Sequence, residues 1–205
     1  MAVNADVAAA PPLPPPPRLW LVRHAAPLIE PGVCYGVRDV AADPAATRAA
    51  AQRLASALPT AALVWHSTLQ RCELLALDLQ ALRPDLAPNP DTRLREMDFG
   101  SWEGQAWDAI GKPAIDVWTG AFHTHAPGGG ESLQAMLARV DRALHAARQC
   151  HAELAARDVV WITHAGVARC VDWLLAHGPS APPEPGTWPV HAPAWGHWVI
   201  RSLRE

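Results

Sequence analysis

The sequence predicts an α/β domain, a three-layer αβα sandwich around a mostly parallel sheet. Two observations predict it. Short apolar runs of strand length alternate along the chain with Ala- and Leu-rich segments of helical length, the pattern of βα units. The chain has 205 residues, 50% of them apolar, enough to cover both faces of one sheet. Helices on both faces bury every strand side chain, so such strands read as continuous apolar runs.

Residues 1–17 end in a proline run and hold little that could be buried, which predicts a disordered Pro-rich tail ahead of a single domain over 18–205. Arg18 to Arg23 is a buried-strand candidate with four apolar residues between two arginines. Asp43-Pro44 supplies an N-cap and a proline at the first helical position, opening a helix to Leu58. Ala61 to His66 reads as a second strand and Thr68 to Leu82 as a second helix. From Pro84 to Gly130 the chain is polar and irregular, with short helices. Leu133, Met136, Leu137, Val140 and Leu144 then recur at helical spacing in a long helix from Ser132 to Ala156. Asp158 to Thr163 is a third strand, Ala165 to Ala176 a further helix, Pro179 to Pro189 a surface loop, and Trp195 to Leu203 a last strand.

Composition narrows the function classes. Seventeen Lys+Arg stand against 20 Asp+Glu, a formal charge of −3, which argues against a nucleic-acid binder or a polybasic membrane protein. Lys112 is the one lysine, so nearly all positive charge is arginine, the residue whose planar fork grips phosphate or carboxylate. Cys34, Cys72, Cys150 and Cys170 are widely spaced. They form neither a disulfide framework nor a zinc pattern, and a reducing cytoplasm suits them. No apolar run reaches membrane-spanning length, and the N-terminus lacks the regions of a signal peptide. There is no phosphate-binding P-loop, no Gly-x-Gly-x-x-Gly after the first strand, no Cys with an Arg six residues on and no Asp-x-Asp. His123-x-His125 has no carboxylate or Cys close by, so neither a metal nor a cofactor is expected.

What remains is a constellation at the strand ends. In a parallel α/β sheet the site lies beyond the carboxyl ends of the strands. The first strand ends in Arg23-His24, the second leads through His66-Ser67 to Arg71 in the first turn of its helix, and the third ends in Thr163-His164. Two arginines and two histidines on one rim make an electropositive pocket suited to a phosphate dianion, helped by helix N-termini. A neutral imidazole there can attack phosphorus to give phosphohistidine. The leaving alkoxide then needs a carboxylic acid, and Leu94 to Gly104 carries the candidates Glu96, Asp98 and Glu103.

These motifs resemble the histidine phosphatase superfamily, the phosphoglycerate mutase-like family. The resemblance rests on Arg23-His24, Ser67-x-x-x-Arg71, Leu94-x-Glu96-x-x-Phe99-Gly100-x-Trp102-Glu103-Gly104, Gly129-Gly130-Glu131-Ser132 and Thr163-His164, in family order across residues 18–178. It implies the phosphoglycerate mutase-like fold, His24 as nucleophile, Arg23, Arg71 and His164 as the phosphate pocket, and Glu96 as proton donor and later activator of water. For Glu131 two readings stand: contact with the pocket, or a helix cap with Ser132. Trp102 and Glu103 read as structural.

The pattern departs from the family at four places. Ala25 and Ala165 stand where glycine is usual; a positive φ there would cost alanine about 1 kcal/mol. Pro27 and Glu30 replace polar residues after the nucleophile, with Tyr35 as the group that could compensate. The chain lacks the mutase insertions. Gly32-x-Cys34-Tyr35-Gly36-x-Arg38-Asp39 resembles bacterial α-ribazole phosphatase-like proteins, which act in cobalamin biosynthesis and remove the 5′-phosphate of α-ribazole phosphate. On this resemblance Tyr35, Arg38 and Glu131 are substrate-side or supporting candidates. The expectation is a metal-independent phosphatase of a small-molecule phosphomonoester, a monomer or homodimer. A phosphoglycerate mutase or broad sugar-phosphate phosphatase is the alternative, and a non-catalytic phospholigand-binding regulator a third reading.

Overall fold

The computed structural model describes residues 18–153 and 158–203, so the 1–17 tail and the end of the predicted long helix at Ala156 lie outside the described residues. The strands are β1 (Arg18–Arg23), β2 (Leu63–His66), β3 (Asn89–Pro90), β4 (Val159–Thr163) and β5 (Trp198–Ser202). The helices are α1 (Pro44–Ala57), α2 (Gln70–Leu82), α3 (Trp107–Ile110), α4 (Lys112–Gly120), α5 (Leu133–Glu153) and α6 (Ala165–His177).

They build one five-stranded sheet in the order β3-β2-β4-β1-β5, parallel except for β5. Alternation along each strand divides the core in two. Leu19, Leu21, Val159 and Trp161 pack with α5 and α6, while Trp20, Val22, Val160 and Ile162 pack with α1 and α2. This is the αβα sandwich that the alternating runs predict.

The local signals act as expected at α1, where Asp43 Oδ1 accepts from the Ala46 N–H at 2.7 Å and Pro44 opens the helix. The differences lie at element ends. Ala61 has φ +61°, so the chain is still turning there and β2 begins at Leu63. Leu69 is extended, which delays α2 to Gln70. Gly196 at φ +70° holds a turn that keeps Trp195 out of β5. The two-residue β3 had no legible signal, since asparagine and proline are both poor strand formers and proline is tolerated only at an edge like this one.

Register brings the functional strand ends together. Arg23 pairs with Thr163 and His66 with Ile162. The residues that follow, His24, Ser67 and His164, therefore emerge side by side at one edge, with the His24 N–H on the Thr163 carbonyl (3.1 Å) and the Ser67 N–H on the Ile162 carbonyl (2.9 Å).

Candidate active site

His24, Arg71 and His164 are buried at this edge, and the imidazole rings of His24 and His164 lie 5.1 Å apart, edge to face. His24 Nδ1 lies 2.7 Å from the Ala25 carbonyl. A carbonyl only accepts, so Nδ1 carries the proton and Nε2 keeps its lone pair. Burial, then the positive charge of Arg71, pushes the His24 pKa down to about 3. The ring is thus neutral over the physiological range, the form in which it can act as a nucleophile.

His164 is held in the same state. Arg71 Nε donates to His164 Nδ1 at 3.3 Å, so the proton sits on Nε2, which faces Ser67 Oγ at 2.8 Å. Burial first, and Arg71 next, lower its pKa well below the ordinary histidine value. Arg71 also donates from Nη2 to the Gly36 carbonyl (2.6 Å) and from Nη1 to the Arg38 carbonyl (2.9 Å), and its guanidinium lies 5.4 Å from the Tyr35 ring. Among the described residues neither Arg71 nor Arg23 forms an ion pair. A buried guanidinium without a carboxylate partner is poised for an anion from outside. Arg23 donates to the Pro193 carbonyl at 3.1 Å and lies 5.2 Å from the Trp195 ring, while its Nε is buried without a partner.

Glu96 faces this group from the irregular segment. Its Oε1 accepts from the Met97 N–H and its Oε2 from the Gly166 N–H, both at 3.0 Å, which fixes the carboxyl plane against the start of α6. Gly166 is required for that approach, because a Cβ there would lie 2.1 Å from Glu96 Oε1. Ala25 and Ala165 adopt no positive φ, so the strain that alanine would suffer in place of glycine does not arise at either position.

A cavity of about 360 Å³ opens over these groups, lined by Arg23, His24, Tyr35, Glu96 and Arg169 on its polar side. Arg71 and His164 lie behind His24, outside its lining. The lining also has a contiguous aromatic wall: Phe99, Trp107, Trp118, Phe122 and Trp188. Trp107 and Trp118 are stacked at 6.3 Å with 12° between planes, and Phe99 stands edge-on to both. The surplus of ten tryptophans was the available signal for this wall. Arg169 lies on α6, five residues beyond its N-cap His164.

The remaining candidates lie outside the cavity. Arg38 is exposed and contributes its carbonyl to Arg71. Glu131 pairs with Arg139 at 2.7 Å, while Ser132 Oγ alone caps α5 by accepting from Ala135 N–H at 3.2 Å. Glu103 accepts from the N–H groups of Val37, Arg38 and Phe99, a structural tie below Arg71. Asp39 accepts from the N–H of Gln70, the first residue of α2. Pro27 makes a bridge to Ala42, and Glu30 is exposed. Among the described residues no cluster of His, Cys, Asp and Glu could hold a metal ion, and no helix is long and apolar enough to cross a membrane.

The sequence model of the histidine phosphatase superfamily (branch 1) matches residues 19–188. The chain belongs to this superfamily. Its fold is shared with mycobacterial glucosyl-3-phosphoglycerate phosphatase (25% identity, TM-score 0.72, 90% of this chain and 89% of that one). It is shared as well with TTHB049 of Thermus thermophilus (30% identity, TM-score 0.65, 89% and 92%) and with mycobacterial hydrolase 2 (25% identity, TM-score 0.71, 90% and 81%). No curated protein matches the chain. Superfamily membership and phosphatase neighbours place the protein among phosphatases or mutases.

Proposed function

We propose that the protein is a metal-independent phosphomonoesterase working through a phosphohistidine on His24. The observation that carries this reading is a buried, neutral His24 whose Nδ1 is tied to the Ala25 carbonyl while Nε2 keeps its lone pair, facing a cavity that also holds Glu96 and Arg23. In the first step Nε2 attacks phosphorus and the bond to the leaving oxygen breaks. The Glu96 carboxyl gives that oxygen its proton and the alcohol departs. In the second, Glu96 as carboxylate takes a proton from water as the water attacks phosphorus. The N–P bond breaks, releasing phosphate and restoring neutral His24 and protonated Glu96. Arg23 balances the phosphoryl charge from the cavity. An anion reaching Arg71 takes over its Nε donor from His164 Nδ1, while His164 donates only from Nε2, the nitrogen that faces Ser67 Oγ.

The leaving group is read from the aromatic wall. Stacked tryptophans suit a flat ring system better than a polyhydroxylated sugar. This supports α-ribazole 5′-phosphate, whose base is aromatic, as the substrate, and with it a role in cobalamin biosynthesis.

Purified protein is expected to hydrolyse p-nitrophenyl phosphate in the presence of chelator, to be blocked by vanadate, and to yield a trappable phosphohistidine. Full activity in His24→Ala refutes the mechanism. Phosphate binding without turnover points instead to a non-catalytic binding protein. For the substrate, α-ribazole 5′-phosphate should exceed 3-phosphoglycerate and glucose phosphates in kcat/KM, and Trp118→Ala should erase that preference. Equal rates across the panel refute the aromatic leaving group.

A further inference from the structure

We propose that Arg139, held by Glu131, is a positioning residue that sets the reach of the Glu96 carboxyl to the leaving oxygen; this rests on the phosphatase reading above. Glu96 lies in a stretch without regular structure, between the short 3-10 turn Thr92–Leu94 and Gly100. Something other than a helix or strand must therefore hold its backbone. Arg139, on α5, supplies that hold. Its Nη1 donates to the carbonyls of Arg93 (2.8 Å) and Arg95 (2.7 Å), and its Nη2 donates to the carbonyl of Glu96 itself (3.1 Å).

The guanidinium is aimed by Glu131. Nε and Nη2 make a two-pronged pair with its two carboxylate oxygens, both at 2.7 Å, and the side chains are only 12% and 18% exposed. The Glu131 N–H also donates to the Asp98 carbonyl at 2.8 Å. One charged pair thus brackets Glu96, gripping the backbone at 93, 95 and 96 on one side and at 98 on the other. Only a planar fork with several donors in fixed directions spans these acceptors; a lysine ammonium does not. Neither side chain lines the cavity, so the pair's bonded path to the reaction runs through Glu96, while the Arg139 charge also helps lower the His164 pKa.

This predicts a loss that depends on the leaving group. The ratio kcat/KM reports the phosphorylation step, where a basic alkoxide needs the acid and a weakly basic phenoxide does not. Arg139→Gln should lower kcat/KM for benzyl phosphate by about 10- to 100-fold, the scale of a roughly 1 Å misplacement, and for dinitrophenyl phosphate by less than about threefold, the scale of a step that needs no acid. In a Glu96→Gln background Arg139→Gln should cause no further loss on benzyl phosphate, because both changes remove the same function. Arg139→Lys should restore little. If Arg139→Gln does not give a cooperative melt, Glu131→Gln carries the same comparison, with the same bias between esters and a smaller fall.

Equal falls on both esters, or losses that add to those of Glu96→Gln, overturn the positioning role and leave the phosphatase reading intact. Absence of any phosphoenzyme in the wild type overturns both.

Discussion

Acidification should destabilise this protein through His24 in a window that can be worked out. The folded-state pKa is about 3, against an ordinary value of 6.5. Between these two values the unfolded chain binds a proton that the folded chain refuses, so stability falls as pH falls. From pH 7 to pH 5 the loss due to His24 is about 2 kcal/mol, or about 4–8 °C in Tm for a domain of this size. His164, also buried and depressed, adds a loss of the same sign. His24→Asn keeps a donor that can reach the Ala25 carbonyl and does not titrate, so it isolates the effect. Urea unfolding at pH 7 and pH 5 should show the variant losing about 2 kcal/mol less than the wild type. Equal losses in the two proteins would refute the buried, neutral state of His24, and with it the basis for proposing this imidazole as the nucleophile.

Gly166→Ala places a Cβ against Glu96 Oε1. It should reduce kcat/KM for benzyl phosphate more than for dinitrophenyl phosphate, with little change in Tm. Arg71→Met strands the Gly36 and Arg38 carbonyls and His164 Nδ1. Vanadate affinity should fall at least about tenfold, with a stability loss of a few kcal/mol by urea unfolding, at about 1–3 kcal/mol per stranded group. Gly128→Ala would bring a Cβ to 2.1 Å from the Phe99 carbonyl at a residue with φ +62°. A loss of about 2 kcal/mol or more in thermal or urea unfolding is expected, and an unchanged melt would show that the Phe99–Gly128 contact yields easily.

Much of the fold was legible because its signals are local. Asp43-Pro44 starts α1 where a cap and a preset φ say it should, and the apolar run from Leu19 to Val22 is buried as a strand covered on both faces must be. Ends were less legible, because a positive φ at Ala61 or Gly196 depends on how the chain must turn to meet its neighbours. For the candidate site, Arg23-His24, Arg71 and Thr163-His164 could be placed from strand ends alone, since parallel topology sends such ends to one rim. Strand ends alone do not separate Glu96 from Asp98 and Glu103; the resemblance at Leu94-x-Glu96 does, and it also reads Glu103 as structural. Gly166 lets the Glu96 carboxyl reach α6, whereas Glu103 is spent on the N–H groups of Val37, Arg38 and Phe99.

The sequence by itself determined the layered architecture, the charge class and the histidines and arginines at the strand ends, all properties of periodicity and of chemistry within a few residues. The tertiary structure alone decided that Glu131 serves Arg139 rather than the cavity, that Arg71 and His164 stand behind His24, and that tryptophans eleven and seventy residues apart (Trp107, Trp118 and Trp188) share one wall. Those facts depend on contacts between segments distant along the chain. Side-chain periodicity says which face is buried, but only packing says against what.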